Sequence, residues 1–371
     1  MTPERIALFG SGGRAVMALV GLVDDLMLHT FHPMSLREDV TANFEREGVR
    51  VVVHDAPYRF GFEYLHPLSR PRITPLPGQV AVIAVEADDV LRFGCLEGEF
   101  RVTAAQAVYD PQSGARPVPF GDNGSTAGRL ALVMNANELR RLSGRDDLGN
   151  AATATMRNEG AAAIVVKDGA AGAYVFDDAG SSCHIPAYPT DNVYKIGSGD
   201  VFSAAFAHSW MLGGSSAAEA ADRASRRAAQ YVETPVLPLP RETRLRAPAP
   251  PDAGGRRVWM ARPIEGTSRR WLYEEAARGL RDLGATLVAG VTGVDRYRVG
   301  TGAAEVSHDV ALVLAGDEIA TRREVSAALA YGRPVVAFAD DPIVLDVVRE
   351  LGAIGVDDLC SALYRTQWMP L

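Results

Sequence analysis

Cysteine is scarce in this chain of 371 residues: Cys95, Cys183 and Cys360 stand far apart and are odd in number. With no Cys-x-x-Cys pair or His/Cys cluster beside them, neither a disulfide framework nor a zinc site is expected, and a reducing cytoplasm fits. Positive charge is short as well, with 38 Lys and Arg against 46 Asp and Glu and a formal net charge of -8. General nucleic-acid binding needs a basic face to neutralise phosphates, so that class is set aside. Hydrophobic runs of membrane-spanning length are missing. The stretch Val16–Val23 is too short to span a bilayer. It lacks a small-residue cleavage pattern, so a buried strand is expected there and not a signal peptide. No repeat of solenoid or propeller period is visible.

The composition, 47% hydrophobic and 23% charged, is that of a globular protein. The length favours two domains over one. Between Pro235 and Gly255 the chain is proline-dense and has no hydrophobic period, the signature of an extended spacer. We therefore expect a first domain over 1–240, a linker over 241–255 and a second domain over 256–371. In the first, strands are expected at Ala15–Val20, Val49–Val53, Val80–Val85, Ala107–Tyr109, Leu130–Met134, Ala162–Val166 and Ala173–Phe176. Helices are expected at Leu36–Glu47, Asn137–Leu142 and Ala151–Asn158. In the second, strands at Arg257–Ala261, Ala285–Val288, Val310–Leu314 and Pro334–Phe338 alternate with helices at Ser268–Leu283, Thr321–Tyr331, Pro342–Leu351 and Val356–Tyr364. Continuous apolar strands alternating with helices indicate α/β sheets covered on both faces.

The densest chemical signal is Ile196-Gly197-Ser198-Gly199-Asp200-Val201-Phe202, where a small-residue turn opens an apolar helix. The first amides of a helix lack intrahelical partners and, with the helix dipole, favour an anion such as phosphate. Asp200 then stands where it can take a proton from an attacking hydroxyl. A plain N-cap would use the same residue type. The stretch resembles the second signature of the PfkB (ribokinase-like) kinases, continued by Gly213-Gly214 and the Ala-rich segment Ala217–Val232. The resemblance implies a ribokinase-like doubly wound sheet, an anion hole at Gly197, Ser198 and Gly199, and Asp200 as catalytic base. ATP and Mg²⁺ are the implied cofactors, with a monovalent cation as an accompanying ion.

Further residues extend the likeness. Asn135 and Glu138 match an Asn-x-x-Glu element that helps organise Mg²⁺ and its waters, although the spacing also fits a capping box. Lys167-Asp168-Gly169-Ala170-Ala171-Gly172 matches the strand-to-hairpin segment beside the nucleotide, where Lys167 can approach a phosphate. Asp110 resembles an Asp-Pro strand end lining the site, and its other reading is a turn former. Asp25 stands near the place of a substrate-gripping Asp. The family's first signature, a Gly-Gly-x-x-x-Asn sugar-binding region with a β-lid, has no evident counterpart, and the domain is short. The aromatic and polar run Pro57–Pro67 is read as an ordered loop, with a substrate pocket as the alternative.

The second domain resembles nucleoside 2-deoxyribosyltransferases and related nucleotide N-glycosidases, which implies a smaller flavodoxin/Rossmann-like α/β domain. Glu324 takes the place of that family's nucleophile, Glu318 that of the residue assisting base protonation, and Asp309 that of the strand-leading Asp. Arg262 and Ala320 stand where the family has glycine. Arg262 and Ser268, at a helix start, are candidates for holding a 5′-phosphate. Glu324 has a second reading as an exposed helix carboxylate paired with a neighbouring Arg.

These observations predict a kinase acting on a sugar or nucleoside, joined to a unit that cleaves or transfers an N-glycosidic bond. Two alternatives stay open: a nucleotide-binding or sensing protein with silent sites, and an N-glycosidase whose kinase fold is regulatory. A small-molecule partner is expected, with no membrane or nucleic acid. Homo-oligomerisation through the second domain is what that resemblance implies.

Overall fold

The computed structural model describes residues 7, 9–75, 81–112, 116–240, 245–251, 253–260, 266–289 and 307–370. The chain opens with helix α1 (Gly10–Leu19), strand β1 (Met27–His32), helix α2 (Arg37–Glu45) and strand β2 (Arg50–Asp55), followed by a small β3 (Gly61–Glu63)–β4 (Arg72–Thr74) ribbon. The strand expected at Ala15–Val20 is thus the second half of a helix. Its apolar run is too short for period to decide between helix and strand. Ala15 and Ala18 are buried on one side, while Val16 and Met17 are buried against Leu28, Val40 and Phe44 on the other. Burial on two sides removes the amphipathic pattern that marks a surface helix.

The larger sheet contains β5 (Ala81–Phe93), β6 (Gly98–Asp110), β7 (Thr126–Asn135), β8 (Ala163–Lys167), β9 (Gly172–Asp177) and β10 (Ser182–Pro186), in the order β10-β9-β8-β7-β6-β5. Neighbours from β5 to β8 pair in parallel, and β9 and β10 complete an antiparallel edge. Helices α3 (Ala136–Ser143) and α4 (Leu148–Glu159) cover one face, where Leu132, Met134 and Ile164 meet Leu139 and Ala152. Helices α5 (Ser198–Ala207) and α6 (Ala217–Glu233) cover the other, where Val133 and Val165 meet Phe202, Phe206 and Trp210. Successive residues of a strand serve opposite faces, so a sheet wrapped on both sides reads as an unbroken apolar run. That is the doubly wound α/β arrangement expected.

The second sheet is fully parallel, in the order β12-β11-β13-β14-β15. It is built from β11 (Arg257–Met260), α7 (Thr267–Asp282), β12 (Thr286–Ala289), β13 (Val310–Leu314), α8 (Glu318–Leu329), β14 (Val335–Phe338), α9 (Pro342–Glu350), β15 (Ile354–Val356) and α10 (Leu359–Trp368). The helix expected from Val356 instead starts after a last strand, with Asp358 accepting from the Ser361 amide as its N-cap. The second sheet shares its core with segments that follow β8 and β10 of the first, among them Ala170, Ala187 and Val193. Trp368 Nε1 donates to the Ala170 carbonyl at 2.9 Å, and Ser361 Oγ accepts from the Val193 amide at 2.9 Å. Among the described residues no helix is long and apolar enough to cross a membrane.

Gly172 fixes the edge of the large sheet. Its φ is +109°, and a Cβ there would lie 2.1 Å from the Ile185 carbonyl oxygen and 2.7 Å from the Ala187 nitrogen. Gly172→Ala combines a strained backbone, about 1–3 kcal/mol, with a clash against backbone that has little room to yield. We expect its melting midpoint to fall by several degrees in a thermal scan; an unchanged midpoint would refute the assigned β9–β10 packing.

Candidate active site

The parallel strands deliver their last residues to one edge. Asp110 ends β6, Asn135 ends β7 and Lys167 ends β8, with Asn135 and Lys167 directly paired in register. In open α/β sheets this carboxyl edge is where ligands bind. The α5 amino terminus faces it across the Gly197 turn, with φ of +85° at Gly197 and no side chain capping the helix. The Ser198 amide donates to the Lys195 carbonyl at 3.1 Å, and Val201 closes the first helical bond to Gly197. Of the three residues expected to hold the anion, Ser198 has its amide engaged, while the Gly199 and Asp200 amides lie ahead of the first helical bond and can face an anion.

Asp200 is 5% exposed. Arg14 Nη1 donates to its Oδ2 at 2.9 Å and Gln112 Nε2 to its Oδ1 at 2.5 Å. Ser11 Oγ holds Gln112 in turn, at 2.5 Å. Gln112 has φ of 44°, a left-handed conformation that is uncommon outside glycine and typical of residues held for a purpose. Arg14 crosses the Gly197 turn so closely that a Cβ on Gly197 would lie 2.3 Å from its Cδ. Tyr64, from the run Pro57–Pro67, feels the charges of both Arg14 and Asp200, and burial pushes its phenol up. Residues of that run, Tyr64 among them, line the same cleft as Asp200.

Asp110 is fully buried, and Lys167 Nζ and Ser203 Oγ donate to its Oδ2 at 2.5 and 2.7 Å. Among the described residues its Oδ1 has no hydrogen-bond partner. Burial pushes the Asp110 carboxyl above its ordinary range, while the Lys167 ammonium pulls the other way. Lys167 Nζ also lies 3.5 Å from where a Gly199 Cβ would be, joining the buried carboxylate to the anion turn.

Asn135 and Glu138 form a capping box: Glu138 Oε2 accepts from the Asn135 amide at 2.8 Å and Asn135 Oδ1 from the Glu138 amide at 2.9 Å. Burial pushes the Glu138 carboxyl up, against the opposing charge of Lys167. One oxygen of each side chain is thus committed to the helix. Among the described residues no three His, Cys, Asp or Glu side chains are grouped to hold a metal. The residues at hand do not make a direct Mg²⁺ chelate. Asn135→Ala should cost about 1 kcal/mol through loss of the cap, measured by urea denaturation. A much larger loss would mean that Asn135 does more than cap.

The remaining candidates lie apart. Asp25 is on the cleft rim, its side chain 78% exposed and paired with Arg50. In the second unit, Glu324 of α8 faces Arg269 of α7 at 3.9 Å, and Arg269 donates to the Leu314 carbonyl at the carboxyl end of β13. Glu318 is exposed at the start of α8 and paired with Arg322 at 3.1 Å. Asp309 precedes the opposite end of β13, where it accepts from the Arg257 amide and guanidinium. The three carboxylates are not brought together, because a strand separates Asp309 from the other two. Ser268 is exposed in the first turn of α7, and Arg262 falls outside the described residues. The sequence reading missed Arg14, Gln112 and Ser203. The cluster Gly10-Ser11-Gly12-Gly13 ahead of Arg14 was the available signal.

A continuous cleft of about 2990 Å³ runs along these groups, from His29 and Phe31 past Arg14, Gln112, Asp200 and Lys167 to Tyr364. Several solved structures are similar to part of this chain. One is a pyrophosphate-dependent myo-inositol-1 kinase converted by mutation into a myo-inositol-3 kinase (20% identity, 64% of this chain and 89% of that one, TM-score 0.43). Others are a ribokinase from Thermotoga maritima (17%, 62% and 82%, 0.42) and a fructokinase from Vibrio cholerae O395 with fructose, ADP and calcium bound (13%, 60% and 84%, 0.42). No curated protein matches the chain at a significant level. Residues 130–243, which carry Asn135, Lys167 and the Gly197–Asp200 turn, match the model of the pfkB family carbohydrate kinases.

Proposed function

We propose that the chain transfers a phosphoryl group to a hydroxyl of a small sugar, polyol or nucleoside, with Asp200 as general base. The observation that carries this reading is the placement of Asp200: buried, fixed by Arg14 and Gln112, and adjoining an uncapped helix terminus beside Lys167. Each carboxylate oxygen keeps a second acceptor site after accepting one hydrogen bond, so a substrate hydroxyl can still donate to Asp200. As the new O–P bond forms, the hydroxyl proton passes to Asp200. The amides of Gly199 and Asp200 and the Lys167 ammonium offset charge on the transferred group. Positioning and electrostatics supply most of the rate in such transfers. Mg²⁺ bound with the donor would supply neutralisation of phosphate charge while keeping its own waters. The division into a kinase-like unit over 1–240 and a second unit over 256–371 belongs to this proposal.

A panel of sugars, polyols and nucleosides incubated with phosphate donors, followed by phosphorus NMR, tests the reading. It requires at least one phosphorylated acceptor, lost in Asp200→Asn; an untouched panel would sink it.

A second reading, N-glycosidic cleavage by the second unit, is supported by one observation: Glu324 is largely buried beside Arg269 at the carboxyl edge of the parallel sheet. A carboxylate there can attack an anomeric carbon as the base leaves. Release of free base from nucleosides or their 5′-phosphates, abolished in Glu324→Gln, is the expected result; equal release by that variant would remove Glu324 from any such role.

A further inference from the structure

The anion turn is entered through residues 191–196, which belong to neither sheet. Backbone groups in such a segment need partners from other elements. Helix α6 supplies some of them. Tyr231 donates to the Ile196 carbonyl at 2.9 Å, the Tyr194 amide donates to the Val232 carbonyl at 2.9 Å, and Glu233 accepts from the Asp191 amide at 2.7 Å. Helix α10 of the second unit supplies others. Ser361 Oγ accepts from the Val193 amide at 2.9 Å, and Arg365 pairs with Asp191. The Lys195 ammonium lies against the Tyr364 hydroxyl, which raises the lysine's pKa. Lys195 in turn closes the anion turn, its carbonyl accepting from the Ser198 amide at 3.1 Å.

The same helix reaches the loop behind Lys167. Trp368 Nε1 donates to the Ala170 carbonyl at 2.9 Å, and a Cβ on Gly169 would lie 3.6 Å from the Tyr364 hydroxyl. Ser361, Tyr364, Arg365 and Trp368 stand at i, i+3, i+4 and i+7, which is one face of a helix. That face meets the segment entering the anion turn and the loop that follows Lys167. Helix α7 of the second unit holds a third segment, the run that carries Tyr64. His66 Nε2 and Glu275 Oε2 are hydrogen bonded at 2.9 Å, and Arg278 donates to the Leu68 carbonyl at 3.2 Å through both terminal nitrogens. Tyr64, two residues before His66, feels the charges of Arg14 and Asp200.

Building on the phosphotransfer reading, we propose that the second unit is a working part of that site: α10 positions the anion turn through Ser361 and Tyr364, and α7 positions the Tyr64 run through Glu275 and Arg278. The four act through the segments they hold, as positioning residues. Misplacing a site group by about 1 Å can cost about 100-fold in rate, so such distant contacts have kinetic consequences. The two helices have separable duties, one serving the phosphoryl group and the other the hydroxyl that receives it.

The test uses the full chain and three readouts: calorimetric titration with inorganic phosphate, amide hydrogen exchange over 61–69 and 191–199, and steady-state rates for a donor and acceptor that react on the panel. Ser361→Ala and Tyr364→Phe should each weaken phosphate binding about fivefold or more, the scale of one lost hydrogen bond. They should also speed exchange over 191–199 and raise the donor KM, with the acceptor KM unchanged. Arg278→Met should give the other pattern: faster exchange over 61–69, an acceptor KM raised about fivefold or more, and unchanged phosphate binding. Val348→Ala trims a core confined to the second unit and controls for stability. It should lower the melting midpoint and produce neither pattern. Effects of the α10 and α7 variants no larger than those of Val348→Ala, or the same effects from both helices, overturn the assignment. A parent that binds no phosphate overturns it too. A parent that binds phosphate but phosphorylates nothing on the panel removes the transfer reading alone, and the binding and exchange patterns still decide the positioning roles.

Discussion

Asp200→Asn is expected to lower phosphoryl transfer by about 100- to 10,000-fold, the range seen when a positioned general base is removed. The substitution keeps the shape of the side chain and removes both its charge and its ability to take a proton. The two neighbours make the consequence more specific. Arg14 and Gln112 both donate to the carboxylate, so an amide in its place must turn its NH₂ toward one donor or the other. The loss should fall on kcat, with the KM of the donor nearly unchanged, because the Gly199 and Asp200 backbone amides survive. Arg14→Gln separates base from positioning. It leaves Asp200 able to accept a proton but free to move, and it should cost less rate than Asp200→Asn while raising the KM of the acceptor. Equal and complete loss in both variants, with native melting behaviour, would argue that the pair works as one charge-neutral structural element and that the base lies elsewhere.

How much of this site was legible beforehand follows from the kind of signal each residue leaves. Gly197–Asp200 is contiguous, and its chemistry follows from a turn, a helix start and a carboxylate in one short stretch. Lys167 and Asn135 sit at the ends of clear apolar strands, so parallel pairing made their convergence predictable once the sheet was recognised. Asp110 was noticed for its proline, but its full burial against Lys167 and Ser203 depends on the stacking of α5 over β6, which no local pattern encodes. Arg14 is the instructive omission. Reading Val16–Val23 as a strand pointed the preceding glycines toward a turn instead of a helix start, and so hid an arginine that reaches 186 positions along the chain to Asp200. The error came from an apolar run buried on both sides. Sheet order in the second unit and the docking of α10 on Ala170 are tertiary outcomes of the same kind. Asp309, singled out by resemblance to a strand-leading Asp, lies at the opposite end of β13 from Glu324 for the same reason.

Lys167→Met should be the most damaging single change to stability at this site, and its size should depend on pH in a defined direction. Asp110 is enclosed, and Lys167 is the ammonium that neutralises it. Removing one member of a buried pair typically costs about 3–5 kcal/mol, because the other charge is left without a partner. In the native protein burial already lifts the Asp110 carboxyl above its usual value, with Lys167 restraining the rise. Without the lysine the rise is larger. An acid whose folded pKa is raised binds its proton more tightly in the native state, so stability falls as pH climbs from the unfolded value through the folded one. The variant and the parent should therefore differ little at the acid end, where Asp110 is protonated folded and unfolded. They should diverge as pH rises, until the variant's higher pKa is passed. Urea denaturation across that range reads the divergence directly. The double variant Lys167→Met/Asp110→Asn should recover much of the loss at neutral pH and flatten the dependence, since the charge that needed a partner is gone. A penalty that is constant across pH, or a double variant no more stable than Lys167→Met, would show that Lys167 acts by packing and not by neutralising Asp110. Recovery of stability without recovery of phosphoryl transfer would assign Lys167 both roles, because the ammonium that satisfies Asp110 is also the one set against the anion turn.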